Sequence, residues 1–528
     1  IISPRLSNET LFLFQQFFRE ILSSNHIDHR TEFQPFQNEG GFLTSLALRA
    51  ANQPFEEIRK ADTILILGSD LPNELPILHL QVRRRSKAGA SIHLAHHRPT
   101  RLDGACTGVA HYRPGSETVF LAALLKRTAE SMAIALPQEV EELLAKILSP
   151  FQVHPSVELQ TGLNGSSIQS LANALQRAKQ STILLGESIF NSKTGPLNVH
   201  LVAELAHLVN ADPGKPSPLS LLLPSNNSRG ASDMGCYPHR GPGYESLDQS
   251  GKNTEQILQG CIEGSIQALI LFQCDLLEEY PNRELVKRAL ESVPFLVVAD
   301  SLPVSTMQYA DVVLPLSTLT EEEGSYTNLG GCVQRTEAAI PQLEGTLAGY
   351  QVLLALGERW GAGWRQIQPS RIFEMIAEAV DHYRNMSWSG LGASGCQALW
   401  VDISLFQSAL SSSIFSLFSL EESPPSPYPF RLVRGRNLFD LAGEKRFAPP
   451  WVERSEECVV EIHPEDAQRL GLESGITVTL RGSLGSTQLP VRVSTDTARG
   501  CVTLLGRYEN KNINGLAVDE RPWVTIQL

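Results

Sequence analysis

The sequence predicts a multi-domain α/β protein with parallel-sheet domains and a C-terminal β-barrel, on three observations. Short apolar runs alternate with helical stretches of about 10–15 residues, which is the pattern of βαβ units and a parallel sheet. Residues 405–430 are rich in Ser and Pro and predict a linker, because Pro cannot continue a helix or a central strand. Residues 458–505 form short β-rich runs around one helix at 464–470, which is typical of a compact barrel.

The first predicted elements are a helix and two strands. Residues 5–22 predict a helix because Ser7 or Asn8 can cap it and apolar residues then recur at helical spacing. The continuous apolar run at 61–70 predicts a buried parallel strand, and a helical stretch leads from it to a second strand at 91–95.

The same alternation recurs further along the chain. The later predicted elements are strands at 181–188, 267–275 and 294–300 and helices at 198–209 and 282–292. The strands that end in Asp70 and Asp275 resemble each other, which predicts two related α/β halves. Each such strand end is a place where an open sheet can bind a ligand.

These elements predict five segments. They are a leading segment with the N-terminal helix (1–55), a first α/β domain (56–180), a second α/β domain (181–405), the Ser/Pro-rich linker (406–430) and the barrel (431–528).

Bulk composition excludes several classes of protein. A chain of 528 residues exceeds the roughly 250–300 residues at which single domains stop growing. The net charge of −13 argues against a nucleic-acid partner, which would require clustered Lys and Arg. No apolar run reaches the roughly 18–20 residues of a membrane span, and no signal-peptide pattern is present. We therefore predict a cytoplasmic chain with no direct membrane insertion.

Two polar loops are candidates for ligand binding. The turn "GSDLPNE" (68–74) follows a strand, so its backbone N–H groups could hold phosphate, although a routine strand-to-helix turn has the same form. The loop "SNNSRGASDMG" (225–235) concentrates hydrogen-bonding groups and flexible backbone, and is either a binding loop or a polar surface loop.

Other motifs give weaker signals. The three histidines of "HLAHHRPT" suggest a metal, but His93 and His96 point to opposite faces of a strand and lack a neighbouring acid or thiol. The acids of "TEEEG" (320–324) could act in acid–base chemistry or form a solvated turn. The eight cysteines include no CxxC pair, so we predict buried thiols rather than a zinc site or an iron–sulfur cluster.

Several motifs together carry a family resemblance. "RLSNE", "NNSRGASDMG" and "ADVVLPLSTLTEEEGSYTNLGGCVQR" resemble, in the same order, segments of the molybdopterin oxidoreductase superfamily, and the resemblance runs from Arg5 to about Gly515. Members include formate dehydrogenases and the G subunit, the large iron–sulfur subunit of bacterial NADH-quinone oxidoreductase (respiratory complex I). The chain is most similar to the C-terminal portion of that G subunit. This implies a formate dehydrogenase-like fold whose barrel resembles the family's dinucleotide-binding domain.

The resemblance also implies a cofactor pocket. In the family, loops similar to these surround a bis-guanine-dinucleotide pterin that holds molybdenum or tungsten. The positions implied for the pocket are Gly68, Asp70, Asn73, Glu74, Arg98, Thr100, Asn226, Asn227, Gly230, Asp233, Gly235, Thr327 and Asn328.

Departures from the family pattern imply that this pocket is vestigial. Gln34, followed by Pro35, stands where the enzymes place a Cys or selenocysteine metal ligand, and an amide is a poor substitute for a soft thiolate. His96 replaces an acid that could accept hydrogen bonds from a nucleotide. Gly330 and Cys332 replace a Glu and an Arg. The resemblance thus implies no catalytic residue, no bound metal and no cofactor in this segment.

The function implied by the resemblance is structural. The segment would belong to the electron-transferring peripheral arm of NADH-quinone oxidoreductase, with 4Fe-4S clusters in an upstream region. Its partners would be other peripheral-arm subunits, including the flavin-bearing and quinone-reducing modules, at the cytoplasmic face of the inner membrane.

Two alternatives stay open at this point. One is a molybdenum or tungsten bis-pterin oxidoreductase, such as a formate dehydrogenase catalytic subunit, which would bind molybdopterin guanine dinucleotide. The other is a scaffold that binds an organic nucleotide without metal, for which Asn226, Asn227, Asp233 and Asn328 are retained.

Overall fold

The computed structural model describes twelve stretches of the chain, which fall into two compact units. The described residues are 1–29, 53–149, 156–190, 194–210, 217–365, 367–399, 429–435, 438, 447–454, 458–505, 516 and 523–527. Unit 1 comprises residues 1–33 and 225–400, and unit 2 comprises residues 34–224 and 401–528. The predicted linker at 406–430 and the metal-ligand position at Gln34 lie outside the described residues, apart from 429–430.

The elements alternate along the chain as expected. The helices are α1 (Asn8–Gln16), α2 (Phe55–Lys60), α3 (Leu71–Glu74), α4 (Pro76–Lys87), α5 (Glu117–Met132), α6 (Gln138–Leu148), α7 (Ser156–Thr161), α8 (Gly165–Arg177), α9 (Glu187–Phe190), α10 (Gly195–Val209), α11 (Ser228–Asp233), α12 (Thr254–Glu263), α13 (Leu276–Glu279), α14 (Arg283–Ser292), α15 (Gly349–Arg359), α16 (Pro369–Ala379), α17 (Trp388–Leu391), α18 (Pro449–Arg454) and α19 (Pro464–Leu470). The strands are β1 (Thr63–Leu67), β2 (Ser91–His96), β3 (Gly108–His111), β4 (Ser181–Leu185), β5 (Leu219–Leu221), β6 (Ala268–Phe272), β7 (Phe295–Asp300), β8 (Val312–Pro315), β9 (Gly324–Thr327), β10 (Cys332–Thr336), β11 (Cys396–Gln397), β12 (Phe430–Gly435), β13 (Val460–Ile462), β14 (Thr477–Gly482), β15 (Ser486–Val493), β16 (Cys501–Leu505) and β17 (Trp523–Gln527).

Unit 2 contains a parallel five-stranded sheet with the strand order β3-β2-β1-β4-β5. Strand β1 is buried along its whole length, as expected for the continuous apolar run at 61–70. Strand β4 pairs directly with β1, from Thr63 opposite Ser181 to Leu67 opposite Leu185. The predicted domain boundary between 180 and 181 therefore cuts through one sheet, because strand pairing at this point joins segments more than 100 residues apart in the chain.

The C-terminal part of unit 2 is the predicted barrel. Its six strands close in the order β12-β16-β13-β15-β14-β17. The interior is apolar, with Val460, Leu480 and Val502 among its fully buried residues. Helix α19 coincides with the predicted helix at 464–470.

Unit 1 is built on a smaller parallel sheet and a hairpin. The sheet has the order β6-β7-β8, and Ile2 forms an isolated parallel bridge to Phe272 beside it. Strands β9 and β10 pair antiparallel, and β11 joins β10. Helix α1 packs against α15, α16 and β9, so the N-terminal helix lies at the centre of the unit 1 core.

The predicted N-terminal helix is divided into two parts. Ser7 caps α1, and a π-helical turn over Phe17–Ile21 follows. In this turn the Arg19 guanidinium donates to the carbonyl oxygens of Gly235, Tyr237 and Arg240 at 2.6 to 2.9 Å. The turn therefore joins the helix to the segment that follows the 225–235 loop.

The state of the cysteines and the length of the helices also bear on the predictions. All eight cysteines are unpaired, but Cys106, Cys332 and Cys396 are half-buried, so the expectation of eight buried thiols is wrong for these three. Within the described stretches, no helix is both long and apolar enough to cross a bilayer.

Candidate cofactor site

The carboxyl ends of β1 and β4 lie together where the strand order of the unit 2 sheet reverses. Open α/β sheets bind ligands at such a switch point. Gly68 and Gly186 bring the two strand ends close, since a Cβ on Gly186 would lie 2.2 Å from the Gly68 carbonyl oxygen. The Ser188 hydroxyl donates to the same oxygen at 2.8 Å. Packing between the strands is thus sufficient reason for glycine at position 68, where φ is +64°.

The turn after β1 contains four of the predicted site residues, Gly68, Asp70, Asn73 and Glu74. The Asn73 amide donates to Asp70 Oδ2 at 2.7 Å, and the Ser69 hydroxyl donates to Glu74. Asp70 Oδ1 is buried and has no hydrogen-bond partner among the residues that the structure describes. Burial raises the pKa of Asp70, and the nearby positive charge of Arg98 partly opposes that rise. An acid at the start of this four-residue helix is unfavourable for phosphate, because its negative charge would lie at the same helix end as the ligand.

Arg98 and Thr100 follow β2. Arg98 Nη2 lies 3.2 Å from Glu461 Oε2 on barrel strand β13. Its other terminal nitrogen, Nη1, is buried without a partner in the described part of the chain. Thr100 closes a local turn instead, because its N–H and hydroxyl both donate to Asp103 Oδ1, at 2.9 and 2.8 Å.

Of the two histidines that follow one another beside this edge, His96 is buried and His97 is half-buried. His96 Nδ1 lies 2.9 Å from the Arg98 carbonyl oxygen, and the rings of His96 and His97 lie 4.1 Å apart. Burial lowers the pKa of His96 to about 4 and that of His97 well below its ordinary value, so both are neutral near pH 7. No group of three or more potential metal ligands occurs within the described residues.

In unit 1, Asn227 joins the N-terminal segment to β9. Its amide nitrogen donates to the Leu6 carbonyl oxygen at 2.7 Å and to Asn8 Oδ1 at 3.0 Å. Its amide oxygen accepts from the Thr327 N–H at 2.7 Å. Asn8 also donates to the hydroxyls of Ser325 and Thr327, at 3.2 and 3.1 Å. Both polar atoms of the Asn227 side chain are therefore used inside unit 1.

The glycines of the same loop are required by this packing. A Cβ on Gly230 would lie 2.1 Å from Asn227 Oδ1 and 2.2 Å from Asn8 Oδ1. Gly235 has φ of +77°, and a Cβ there would lie 2.3 Å from the Gly241 carbonyl carbon. Neither position has room for a larger side chain without displacing its neighbours.

Asp233 is the centre of a buried ionic network. Its Oδ1 accepts from Arg229 Nε at 2.9 Å and from the Tyr244 hydroxyl at 2.8 Å, and lies 3.1 Å from His382 Nε2. Its Oδ2 accepts from the Tyr383 hydroxyl at 3.0 Å. Burial by itself would raise the pKa of Asp233, but the positive Arg229 and the hydrogen bonds lower it to about 2. Asp233 is therefore a charged, fully paired residue in the core.

The remaining predicted residues of unit 1 lie nearer the surface. Asn328 closes the turn between β9 and β10, where its Oδ1 accepts from the Cys332 N–H at 3.0 Å and its Nδ2 donates to Gln334 at 3.3 Å. The Gly330 carbonyl oxygen accepts from the Gln397 amide at 2.7 Å. Asn226 is exposed.

Two buried carboxyl groups lie under the acidic turn. Glu9 Oε2 accepts from the Ser325 N–H at 2.7 Å, and the Tyr326 hydroxyl donates to Glu322 Oε1 at 3.4 Å. Burial raises the pKa of each carboxyl to about 7, and for Glu322 the charge of Glu9 contributes further. The solvated-turn interpretation of 320–324 is therefore wrong for Glu322.

The predicted residues thus form two groups, one in each unit. Asp70 and Arg98 follow the neighbouring strands β1 and β2 of the unit 2 sheet, whereas Asn227, Asp233 and Thr327 belong to the polar core of unit 1. Sequence reasoning missed the partners of the second group, Asn8, Tyr244, His382 and Tyr383. Asn8 falls in the "RLSNE" motif, but no local pattern signals His382 or Tyr383.

Comparison with known proteins identifies the family. The profile of the family "Molybdopterin oxidoreductase" matches residues 1–359. The chain belongs to the molybdopterin oxidoreductase family. A second profile, "Molydopterin dinucleotide binding domain", matches residues 430–525, which include the barrel strands from β12 to the first residues of β17.

Relatives of this chain are named as three different oxidoreductases. The G 2 subunit of NADH-quinone oxidoreductase from Rhizobium meliloti is 26% identical over 98% of this chain and 60% of its own length. NADPH-Fe(3+) oxidoreductase subunit alpha of Geobacter sulfurreducens is 24% identical over 97% of this chain and 61% of its own length. F420-dependent formate dehydrogenase 1 subunit alpha of Methanococcus maripaludis is 23% identical over 95% of this chain and 80% of its own length.

The fold comparison agrees with the family. Acetylene hydratase from Pelobacter acetylenicus superposes with a TM-score of 0.69 at 15% identity, covering 93% of this chain and 81% of the hydratase. At this identity the likeness shows the fold alone.

The two groups of predicted residues fit the family's cofactor unequally. In unit 2, Asp70 Oδ1 and Arg98 Nη1 are buried polar atoms that lack partners in the described stretches, so they could bind polar groups of a ligand. In unit 1, Asn227, Asp233 and Thr327 bind other residues of the same unit and offer fewer free hydrogen-bonding atoms.

Proposed function

We propose that this member of the molybdopterin oxidoreductase family is a structural, non-catalytic part of the electron-transferring peripheral arm of an NADH-quinone oxidoreductase, as a portion of its G subunit. The observation that carries the proposal is the internal use of Asn227, Asp233 and Thr327. A binding loop must present donors and acceptors to its ligand, whereas these side chains hold the core of unit 1 together.

Similarity along the whole chain supports the same function. The 26% identity to the Rhizobium meliloti relative covers 98% of this chain. The chain spans about 60% of that relative's length, so the electron-carrying clusters of the proposed complex are assigned to a portion of the protein outside these 528 residues.

The proposal includes partners, place and cofactor content. The partners are other peripheral-arm subunits, including the flavin-bearing and quinone-reducing modules, and the complex lies at the cytoplasmic face of the inner membrane. This segment holds no pterin and no metal, and its pocket is vestigial. Iron–sulfur clusters belong to the upstream portion.

Purification through a tag on the intact native protein tests this function. We expect NADH-dependent quinone reduction to co-purify with the tag and formate oxidation to be absent. Formate oxidation that co-purifies in proportion to the tagged chain, without NADH-dependent quinone reduction, would contradict the proposal. A parallel purification from an untagged strain controls for non-specific binding to the resin.

One alternative function is favoured by a specific observation. The unpaired atoms of Asp70 and Arg98 support a molybdenum or tungsten bis-pterin oxidoreductase, such as a formate dehydrogenase catalytic subunit. In that function Asp70 would accept hydrogen bonds from amino or hydroxyl groups of the dinucleotide, and Arg98 would donate to its polar oxygens. The metal of that cofactor would supply the redox chemistry. A scaffold that binds a metal-free nucleotide would use the same two side chains.

A further inference from the structure

The last strand of the unit 1 sheet presents apolar side chains to solvent. Strand β8 pairs with β7 on one side and is terminal in the sheet formed by the described residues. Val312 is 37% exposed and Val313 is 45% exposed. Phe295, which is 45% exposed, lies on the same face as Val312 because Val297 is the register partner of Val312. Terminal strands with exposed apolar side chains are sites where another chain can add.

A loop extends this apolar surface beyond the strand. The Leu347 N–H donates to the Pro315 carbonyl oxygen at 3.3 Å, and the Ser317 N–H donates back to the Leu347 carbonyl oxygen at 2.9 Å. The N–H groups of residues 339 and 340 donate to the Thr320 carbonyl oxygen at 2.8 and 3.2 Å. Residues 339–347 are therefore held along residues 315–320 by backbone hydrogen bonds.

This arrangement collects large apolar side chains that the core does not use. Leu319 is 46% exposed, Ile340 52%, Leu343 66% and Leu347 44%. We call Val312, Val313, Leu319, Ile340, Leu343 and Leu347 the apolar edge surface. Val312 and Val313 are consecutive residues of β8 and therefore lie on opposite faces of the sheet at its edge. Single exposed apolar residues are ordinary, but six on two segments that bind each other form the kind of surface that marks an interaction site.

The charges around the apolar edge surface are almost all negative. Residues 310–347 contain six acidic side chains, of which Glu322 is buried, and one basic side chain, Arg335. Arg335 is bound to two of the acids, since its Nη2 lies 2.8 Å from Glu323 and 3.0 Å from Glu337. Glu337 and Glu344 are exposed next to the apolar residues of the loop. A partner gains from this pattern only if its own rim is positive.

We propose that the apolar edge surface binds a partner protein through an apolar segment flanked by Lys and Arg. An anionic membrane surface is a poor occupant because the acidic rim would be repelled by it. A second copy is a poor occupant as well, because it would bring the same acidic rim and a net charge of −13. This inference goes beyond the proposed function, since it concerns a surface that shares no residue with the candidate cofactor site and holds for whichever complex contains the chain.

Site-specific photocrosslinking in the native complex tests the proposal. The crosslinking residue p-benzoylphenylalanine replaces Leu343 in the intact tagged protein, and in a matched control it replaces Leu159, which is also 66% exposed but belongs to α7 of unit 2. We expect a crosslink from position 343 to another protein, at a peptide that is apolar and flanked by basic residues. The control at position 159 should give no comparable product with that peptide.

A second pair of variants measures the contribution of the surface. Leu343→Glu should lower the amount of the crosslink-identified partner that co-purifies by about tenfold, because a charge is placed at the centre of an apolar contact. Leu159→Glu should leave the amount of co-purified partner unchanged. Both positions are exposed, so the thermal unfolding midpoints of the two variants should stay within about 2 °C of the parent protein.

Several results would overturn the proposal. They are a crosslink from position 343 to a second copy of this chain or to lipid, a crosslinked peptide with an acidic rim, equal products from positions 343 and 159, and full retention of the partner by Leu343→Glu.

Discussion

Asp70 in unit 2 and Asp275 in unit 1 each lie three residues after the end of a parallel strand, β1 and β6, yet only one of them has a full set of partners. Each precedes a four-residue helix, and their backbone angles agree closely, with φ and ψ of −91° and 73° at Asp70 and −93° and 86° at Asp275. The Asp275 carboxylate accepts from the backbone of Ser305 and from the backbone and hydroxyl of Thr306. Asp70 Oδ1 has no partner among the described residues.

The difference shows that the same local motif can have its acceptor oxygens fully paired or leave one of them without a partner in the described residues. In unit 1 the strand end is filled by the chain's own residues 305 and 306 and stabilises the fold. In unit 2 the same turn retains a buried oxygen that a ligand could satisfy. A motif match alone therefore does not separate a structural turn from a binding turn, and the hydrogen-bond partners must be known.

The largest expected effect concerns the ionic network of unit 1. Asp233→Ala should lower the free energy of unfolding by about 4 kcal/mol, because it leaves the buried Arg229 guanidinium without its counter-charge. Urea denaturation measures the change. The control is Asp381→Ala, which removes a solvent-exposed ion pair with Arg384 and should change stability by less than about 0.5 kcal/mol.

The double variant Arg229→Met with Asp233→Leu sharpens this prediction. It removes both charges, so it should be less destabilised than Asp233→Ala alone. A loss below about 1 kcal/mol for Asp233→Ala would contradict the structural role of this network.

The strand-end comparison predicts unequal effects for matched substitutions. Asp275→Ala should lower the free energy of unfolding by about 3 kcal/mol, because Ser305 and Thr306 lose a buried charged acceptor. Asp70→Ala should cost less than about 1 kcal/mol, because one of its oxygens makes no hydrogen bond to the described residues. Equal losses, measured by urea denaturation of both variants, would remove the distinction between the two turns.

The buried acids of unit 1 predict a loss of stability with rising pH. Glu9 keeps its proton up to about pH 7 in the folded state, against an ordinary pKa of 4.5, because burial disfavours its charge. The folded chain then binds more protons than the unfolded chain between these values, so the free energy of unfolding falls as pH rises through them. When the pH rises from 5 to 8, the free energy of unfolding of Glu9→Gln should therefore fall by about 2.5 kcal/mol less than that of the parent.

The measurement is urea denaturation of both proteins across this pH range. Glu20→Gln, an exposed position on the same segment, is the control and should follow the parent at every pH. Parallel curves for the parent and Glu9→Gln would show that Glu9 titrates normally.

A buried histidine of unit 2 predicts the opposite slope. Burial lowers the pKa of His200 from 6.5 to about 4, so the unfolded chain binds more protons between these values and stability falls as the solution becomes acidic. Between pH 8 and pH 5 the free energy of unfolding of the parent should fall by about 2 kcal/mol because of His200. His200→Leu should not show this decrease. The more exposed His207, on the same helix, provides the control variant His207→Leu. An unchanged acid-side slope in His200→Leu would contradict the assignment.

Sequence reasoning predicted the elements better than their assembly. Continuous apolar runs mark β1, β4, β6 and β7 because strands buried on both faces require them, and the barrel follows from its alternating short strands. The boundary at residue 180 was wrong because pairing of β1 with β4 is a long-range contact that no local pattern reports.

The site was predicted only in part, for a related reason. The motif residues Asn227, Asp233 and Thr327 were found, but their role depends on partners such as Leu6 and Tyr383 that are distant in the chain. Chemical type and spacing identify polar residues that are worth attention. They do not tell whether the structure pairs those residues internally.

The most direct measurement is the content of molybdenum, tungsten and pterin in the intact protein purified from its native host. Metal would be quantified by mass spectrometry, and pterin by fluorescence after acid oxidation, both per mole of the chain. The account predicts neither metal nor pterin above the level of an untagged control purification. About one equivalent of molybdenum or tungsten per chain, with pterin, would contradict the vestigial pocket and favour the catalytic alternative.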